Sequence, residues 1–378
     1  MPILLKNATY IHWKTLEYLK TDILIEEGVD APIKLLGKSS KLPENQNITL
    51  IDCDGKLVTK SFAVGHHHVY SALATGMPAP KKAPNNFHEI LQYIWWKLDK
   101  ALDKEMIKAS ALATAISCAK SGSTFVIDHH SSPNCISGSL DIIAEAFDQV
   151  GLSHLLCYEI SDRDGKDKTE KAFFETERFL NTRQGLVGLH ASFTVDDDTL
   201  KKSADLMDKY QSGIHVHVAE DLHDQRHCIE HYHKRVVERL NESGILNSSK
   251  TILGHCLHLC DNERNIIDES NAYVVQNIES NLNNKVGFFS AEGLGKRIML
   301  GTDGMHSDMI RSAQFAHFAG ENFDTMDFGD AYYRLRKVHD YLEVNNFEGD
   351  GDNNLVIFNY PSATPVNQDN FLGHFLFG

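Results

Sequence analysis

The first part of the chain alternates apolar and polar positions in short runs that end in turn-forming residues. Four such runs lie within residues 2–56: ILLKNATYI, TDILIEEG, APIKLLG and ITLIDCDG. Alternation over about four to eight residues, rich in β-branched side chains and bounded by Gly, Asp or Asn, is typical of strands. The pattern therefore predicts a small β unit in this region.

From residue 62 onward the pattern changes, and short β-branched apolar runs alternate with longer stretches of helical periodicity. In residues 87–122, for example, large apolar side chains recur every three or four positions until Gly122 ends the stretch. There are eight apolar runs, at residues 62–66, 124–130, 153–159, 186–191, 214–220, 251–256, 272–277 and 298–303. Eight strand–helix units in about 250 residues are what a closed (β/α)8 TIM barrel requires.

Polar side chains recur at the carboxyl ends of these runs. They are His66 with His68, His129, Glu159, His190, His217 with Glu220, His255, Asn277 and Asp303. One polar strand end is explained by nearby solvent, but a series in which most members are histidines or carboxylates is not. Because the carboxyl ends of the strands of a parallel barrel meet at one mouth, the series predicts a site there.

The last part of the sequence predicts a return to the first β unit. The run NLVIFNY at 354–360 follows the acidic, turn-forming segment EGDGDNN, so it is expected to be a strand that pairs with the amino-terminal strands. The predicted fold is an α/β barrel at residues 58–345 with a small β-sandwich domain built from residues 1–57 and 346–378.

Composition narrows the class of partner. The 378 residues include 52 acidic and 37 basic side chains, for a formal charge of −15. A surface of this charge repels polyanions, so we expect no nucleic-acid or membrane partner and a small-molecule substrate instead. The sequence has neither a secretory leader nor an apolar run long enough to span a membrane, and its seven scattered cysteines form no Cys-x-x-Cys pair. We therefore expect a soluble, cytoplasmic protein with reduced thiols; a homo-oligomer is left open.

The histidines have the spacing of a metal site. On an extended strand, His66 and His68 lie on one face and His67 on the other, so two imidazoles can approach one ion. In HVHVAE, His217 is the natural third ligand, because a catalytic zinc ion uses about three protein ligands and leaves a place for water. Taken alone, the first pair could equally be a solvated loop end.

Two carboxylates and two further histidines have the chemistry that such a metal site needs. Asp303 in GTDG can bind the ion and accept a proton from water, although Asp before Gly is also a common turn former. Glu220 can carry a proton to a ring or leaving nitrogen, unless it is a surface carboxylate. His255 can donate a hydrogen bond to a developing oxyanion, and His190 can contact substrate.

These motifs resemble those of a known family. The segments HHH, HVHVAE, TILGHC and GTDG are similar to those of the metal-dependent amidohydrolase superfamily, in its aminohydrolase and chlorohydrolase branch. Longer segments, among them WWKLDKALD, SGSTFVIDHHSSP, CYEISDRDG and NLNNKVG, most resemble the aminohydrolases associated with selenium metabolism. The resemblance covers residues 1–376.

The resemblance implies a mononuclear site with defined roles. Its metal ligands are His66, His68, His217 and Asp303; its catalytic residues are Glu220, His255 and Asp303; its substrate-binding residues are His190, Gln276 and Asn277. Binuclear relatives carry a carboxylated lysine on the fourth strand, and LVGLHA has no lysine. Two departures stand out: Gln276 replaces the usual His before Asn, and Lys60-Ser61 replaces the usual Pro-Gly.

The leading hypothesis is hydrolytic deamination of an amino-substituted heterocycle, such as a purine, pyrimidine, pterin or triazine, by a metal-bound hydroxide. The expected cofactor is one divalent ion, Zn²⁺ by default, with Fe²⁺ as the alternative because imidazole and carboxylate ligands accept both. The alternative activities are dechlorination or cyclic amide hydrolysis at the same site. A catalytically degenerate relative that only binds a metal or small molecule is the remaining hypothesis.

Overall fold

The computed structural model describes residues 1–37 and 47–378. In this part of the chain the strands are β1 (Ile3–Ile11), β2 (Tyr18–Ile25), β3 (Ile33–Leu36), β4 (Thr49–Asp52), β5 (Leu57–Lys60), β6 (Phe62–His67), β7 (Ser123–His130), β8 (Ser153–Ile160), β9 (Val187–Ala191), β10 (Ile214–Val218), β11 (Ile252–His255), β12 (Tyr273–Gln276), β13 (Ile298–Leu300) and β14 (Leu355–Phe358). The α-helices are α1 (Phe87–Ile90), α2 (Trp96–Ala101), α3 (Lys104–Lys120), α4 (Ser139–Val150), α5 (Lys166–Leu180), α6 (Asp197–Tyr210), α7 (Leu222–Tyr232), α8 (Val236–Glu242), α9 (Asp261–Glu269), α10 (Ile278–Asn284), α11 (Met309–Phe323), α12 (Asp330–Val344) and α13 (Phe371–Phe377). A π-helical turn at Leu91–Trp95 joins α1 to α2.

Strands β6 to β13 form a parallel sheet that closes on itself. Each strand pairs with the next one along the chain, and the residues after β13 return to β6. At this seam the carbonyl oxygen of His66 accepts hydrogen bonds from the N–H groups of Thr302 (2.9 Å) and Asp303 (3.1 Å). The eight strands coincide with the eight predicted runs, so the predicted (β/α)8 barrel is confirmed.

The amino-terminal part of the barrel interior is packed with apolar side chains. They come from the strands, and the cluster is Ala63, Phe125, Ile127, Leu155, Cys157, Leu186, Ile252, Tyr273, Val275 and Met299. Val338, Tyr341 and Leu342 of α12 pack against this cluster. Because strands covered on both faces are buried throughout, they read as near-continuous apolar runs. The polar residues are therefore confined to the carboxyl ends, as the sequence indicates.

The remaining described strands form one mixed sheet in the order β14-β5-β1-β2-β3, with β4 also pairing with β1. Strand β14 lies antiparallel to β5, so the carboxyl-terminal segment returns to the amino-terminal unit as predicted. The exact division into residues 1–57 with 346–378 and residues 58–345 stays a prediction, and residues 38–46 of the first range lie outside the described part.

A buried polar network joins the small sheet to the barrel at Lys60. The Lys60 ammonium lies 3.1 Å from a carboxylate oxygen of Asp350, whose other oxygen lies 2.7 Å from Nδ1 of His339. Arg336 donates hydrogen bonds to the carbonyl oxygens of Lys60 (3.0 Å) and Ser61 (2.7 Å). Lys60-Ser61, which replaces the usual Pro-Gly, therefore stabilises the junction between the two sheets, because the positive charge of Lys60 pairs with Asp350.

Two further observations concern the cysteines and the length and polarity of the helices. All seven cysteines lie in the described part of the chain and are free, five of them buried. This agrees with the expectation of reduced thiols. None of the helices in the described residues is both long and apolar enough to cross a bilayer.

Candidate active site

The four predicted metal ligands meet at the carboxyl end of the barrel. His66 lies in β6 and His68 follows that strand, His217 lies in β10, and Asp303 follows β13. One oxygen of Asp303 lies 3.1 Å from Nε2 of His68 and 3.5 Å from Nε2 of His66. The Nε2 atoms of His68 and His217 are 3.2 Å apart. Asp303 thus contacts both His66 and His68, and His68 contacts His217, so residues far apart in the sequence bring three imidazoles and one carboxylate together.

Hydrogen bonds at the other ring nitrogens set the orientation of these imidazoles. Nδ1 of His68 donates to the carbonyl oxygen of His129, and Nδ1 of His217 donates to that of His190, both at 2.7 Å. Because a carbonyl oxygen only accepts, each Nδ1 carries a proton, and in the neutral form of both rings the two Nε2 lone pairs face each other. Two facing lone pairs repel, so this arrangement favours a positive charge between them, either a proton or a cation.

His66 leads to the same conclusion. Its Nδ1 lies 2.8 Å from Nε2 of His215, whereas its own Nε2 is buried without a hydrogen-bond partner and faces Asp303. Three imidazole nitrogens and one carboxylate oxygen form the donor set that zinc prefers and that iron(II) accepts. The side chains present therefore fit a divalent cation.

The charges of the cluster also favour a cation. Burial raises the pKa of Asp303, but its interactions with the neighbouring imidazoles of His66 and His68 outweigh burial and hold that pKa well below its ordinary value. Burial lowers the pKa of His68, yet the hydrogen bond and charge of Asp303 outweigh it and raise that pKa. The carboxylate is thus ionised, and the cluster attracts positive charge.

Glu220 and His255 lie next to this cluster and to each other. Nε2 of His255 is 3.4 Å from a carboxylate oxygen of Glu220 and 3.9 Å from one of Asp303. Burial, with the negative charge of Asp303, raises the pKa of Glu220 well above its ordinary value. Burial lowers the pKa of His255 to about 3. The surroundings therefore favour the protonated form of Glu220 and the neutral form of His255.

A pocket opens above the cluster, and one of its walls is aromatic. The aromatic residues that line it are Tyr70, Phe87, Trp95, Trp96 and Phe193. His190 also lines the pocket; its ring lies 6.0 Å from that of Trp96, and its Nδ1 lies 2.7 Å from the hydroxyl oxygen of Thr194. Flat apolar walls beside a few fixed polar groups suit a planar heterocycle.

The pocket also contains an ion-pair cluster that the sequence analysis did not assign. Arg163, on the segment after β8, donates to Glu159 at 2.5 Å and to Asp99, and its guanidinium lies 5.3 Å from the centre of the Trp96 ring. All three charged side chains are buried and line the pocket. Arg163 lies in the segment CYEISDRDG, whose resemblance to the family was the available signal.

Gln276 and Asn277 lie outside the pocket lining. Oε1 of Gln276 accepts a hydrogen bond from Arg334 at 3.0 Å. Asn277 is buried behind the site, and both polar atoms of its side chain have no hydrogen-bond partner. Their assignment as substrate-binding residues stays a prediction. The structure brings the other assigned residues, including His190, to the mouth of the barrel.

Comparison of the sequence with known proteins identifies the family of this chain. The model of the amidohydrolase family matches residues 64–336. The 5-methylthioadenosine/S-adenosylhomocysteine deaminase of Thermococcus onnurineus is 26% identical, covering 100% of this chain and 90% of its own. The 5'-deoxyadenosine deaminase of Methanococcus maripaludis is 29% identical over 76% of this chain and 68% of its own.

Solved structures agree on the fold. An adenosine deaminase from Xanthomonas campestris with bound zinc aligns with a TM-score of 0.80 at 18% identity, over 99% of this chain and 88% of its own. The guanine deaminase of E. coli aligns with a TM-score of 0.79 at 16% identity, over 98% and 91% of the two chains. The atrazine chlorohydrolase of Arthrobacter aurescens with zinc gives 0.80 at 15% identity, over 99% and 91%.

Proposed function

The chain belongs to the amidohydrolase family, and from that premise we propose that it deaminates an amino-substituted heterocycle by hydrolysis at a single divalent cation. The observation that carries the proposal is the convergence of His66, His68, His217 and Asp303 beside Glu220. In this proposal the cation is held by His66, His68, His217 and Asp303. When bound, the cation supplies Lewis-acid chemistry, because it lowers the pKa of a coordinated water toward about 7.

The side chains around the cation are arranged to move protons. Asp303 is ionised and accepts a proton from the attacking water. Burial favours the protonated form of Glu220, which donates a proton to a ring nitrogen and so allows the amino-substituted carbon to accept water. His255 lies within hydrogen-bonding reach of the same region and donates to the oxygen that develops negative charge. Asp303 then gives its proton to the amino group, which leaves as ammonia, and Glu220 takes back a proton from the new hydroxyl group, so that a ring carbonyl remains.

The pocket walls favour a flat, nitrogen-rich ring. Trp95, Trp96 and Phe193 offer faces and edges on which an aromatic heterocycle packs, and His190 lies where it can bond to a ring atom. Relatives of this chain are named as deaminases of adenosine derivatives. Aminopurines and their nucleosides are therefore the first class to test, followed by aminopyrimidines, pterins and triazines.

The test is a screen of these compounds for ammonia release by the zinc-loaded protein. Glu220→Gln is the matched control, because the amide keeps the shape of the side chain but cannot transfer a proton. We expect ammonia release from at least one compound, and a fall in kcat of about 10²- to 10⁴-fold in the control variant.

Other products would contradict the proposal. Release of chloride from a chlorotriazine, or ring opening without ammonia, would show one of the alternative activities at this site. A purified protein that holds far less than one metal ion per chain, and that added zinc does not restore, would indicate a degenerate relative. A parallel loading with iron(II) under anaerobic conditions decides between the two cations. We also propose a cytoplasmic location, because all seven cysteines are unpaired.

A further inference from the structure

Helix α10 directs polar side chains at two of the proposed catalytic residues. The Ser280 hydroxyl donates to Oδ2 of Asp303 at 2.5 Å, and the Asn284 amide donates to that hydroxyl oxygen at 3.3 Å. The amide nitrogen of Asn281 lies 2.7 Å from Nδ1 of His255. This helix follows the strand that ends in Gln276-Asn277, so one short segment of the chain orients both an acidic and an imidazole group.

The contact between Asn281 and His255 determines where the imidazole proton lies. An amide N–H only donates, so Nδ1 of His255 accepts and the proton of the neutral ring is on Nε2. Both side chains are fully buried, so water does not compete for this bond. Nε2 is buried without a hydrogen-bond partner and points toward Glu220 and Asp303. His255 is thereby a hydrogen-bond donor toward the reacting groups.

The position of His255 also permits a different role. Ligand atoms of His66, His217, His255 and Asp303 all lie within 4.8 Å of one another, so His255 could coordinate a cation if Nε2 carried a lone pair. A protonated ring nitrogen cannot coordinate. We propose that Asn281 is a positioning residue that selects the Nε2–H tautomer of His255, which keeps this histidine out of the ligand set and available as a donor. The inference rests on the proposed function for the identity of the ligand set.

The sharpest test is Asn281→Asp, which keeps the size of the side chain but replaces the donor with an acceptor. The protein is labelled with ¹⁵N-histidine, and His255 is assigned as the signal lost in His255→Gln. Spectra are recorded at pH 8.5, above the ordinary range of imidazole titration. We expect a protonated Nε2 in the parent protein and a protonated Nδ1 in the variant. Asn283→Asp is the matched control, because Asn283 is exposed on the same helix and its change should leave the tautomer unaltered.

A second readout measures the consequence for metal binding. In the cobalt-loaded protein, Asn281→Asp should add an imidazole ligand, weaken the visible absorption bands as the coordination number rises, and slow cobalt release by about 10-fold. Asn281→Ala, which removes the donor without supplying an acceptor, should give a mixture of tautomers. Circular dichroism verifies that each variant is folded.

Two results would overturn the inference: a parent protein with the proton on Nδ1 of His255, or an Asn281→Asp variant that is folded and has an unchanged tautomer. Neither measurement uses a substrate. A failed substrate screen with a confirmed tautomer would therefore reject deamination alone, whereas an active deaminase with the opposite tautomer would reject only the role of Asn281.

Discussion

At the scale of single residues, the site depends on where each imidazole proton lies. Backbone carbonyl oxygens hold His68 and His217 with the proton on Nδ1, whereas the amide of Asn281 places it on Nε2 of His255. In the proposed site, identical side chains are thus ligands or donors according to the partner of the other nitrogen. Asp303 connects these groups: one of its oxygens lies near Nε2 of both His66 and His68, and the other accepts a hydrogen bond from Ser280.

Replacing Asp303 with Asn tests its role as ligand and base. Asp303→Asn removes the negative charge that balances the cation and cannot accept a proton, so kcat for ammonia release should fall by about 10³-fold. The circular dichroism spectrum should remain that of the parent. Glu292→Gln, a change of the same kind at an exposed position, should leave activity intact. Retained turnover in Asp303→Asn would rule out Asp303 as the base.

Arg163 should contribute strongly to stability because it balances two buried carboxylates. Arg163→Met removes the only guanidinium that Glu159 and Asp99 contact among the described residues, so the free energy of unfolding should fall by about 3–5 kcal/mol in urea titrations. Adding Asp99→Asn should restore part of the loss. Arg183→Met is the control, since its pair with Asp148 is solvent-exposed and should contribute less than about 1 kcal/mol. Equal losses in both arginine variants would contradict this account.

At the scale of elements, the strands were predictable but their local irregularities were not. Ala63 points into the apolar barrel interior, and strict alternation from it would place His67, not His66 and His68, on that side. A register shift between Val64 and His67 reverses the alternation. The sequence predicted that His66 and His68 share a face because it treated them as a pair, but it carries no local signal for the shift.

The backbone turns at the carboxyl ends of three strands were also not predictable from the sequence. Ala219, His255 and Asp303 have φ values of 46°, 69° and 50°, a left-handed conformation that costs free energy in residues other than Gly. These turns aim Glu220, His255 and Asp303 into the pocket. The pattern of apolar and polar residues along the chain indicates which strand a side chain follows. It does not indicate a left-handed turn after that strand. For this reason Arg163, Ser280 and Asn281, which act across elements, were not predicted.

The seam between β13 and β6 depends on the absence of a side chain at Gly65. A Cβ atom at this position would lie 2.6 Å from the carbonyl oxygen of Leu300, which belongs to the neighbouring strand. Gly65→Ala should therefore lower stability by about 1–3 kcal/mol and weaken zinc binding, because His66 follows directly. Gly373→Ala is the control: no atom lies within 4 Å of its Cβ, and the change should be neutral or slightly stabilising. Thermal unfolding and zinc titration measure both effects.

At the scale of the whole molecule, the barrel concentrates histidines that are distant in sequence into one buried region. The pattern of eight runs predicted this convergence, because the mouth of a parallel barrel collects the carboxyl ends of all its strands. The small sheet could be predicted only in outline, since strand order there depends on pairing between the two ends of the chain. Burial of so many imidazoles makes the fold sensitive to acid.

His130 provides a specific test of this acid sensitivity. Its ring is 1% exposed, Nδ1 has no hydrogen-bond partner, and burial lowers its pKa to about 3. Because the unfolded chain binds this proton with a pKa near 6.5, the unfolded state takes up more protons between about pH 3 and 6.5. Stability from this residue is therefore constant above that range and decreases as the pH falls through it.

The measurement compares urea unfolding of the chelator-treated protein and His130→Gln as a function of pH. The parent should lose about 1 kcal/mol more than the variant between pH 6.5 and 5.5, whatever the stability difference between them at pH 8. Asn283→Gln should follow the parent curve, because it changes an exposed side chain and no titratable group. If instead the curves of the parent and His130→Gln ran parallel through this range, His130 would have to be protonated equally in both states, and its burial would carry no cost in acid.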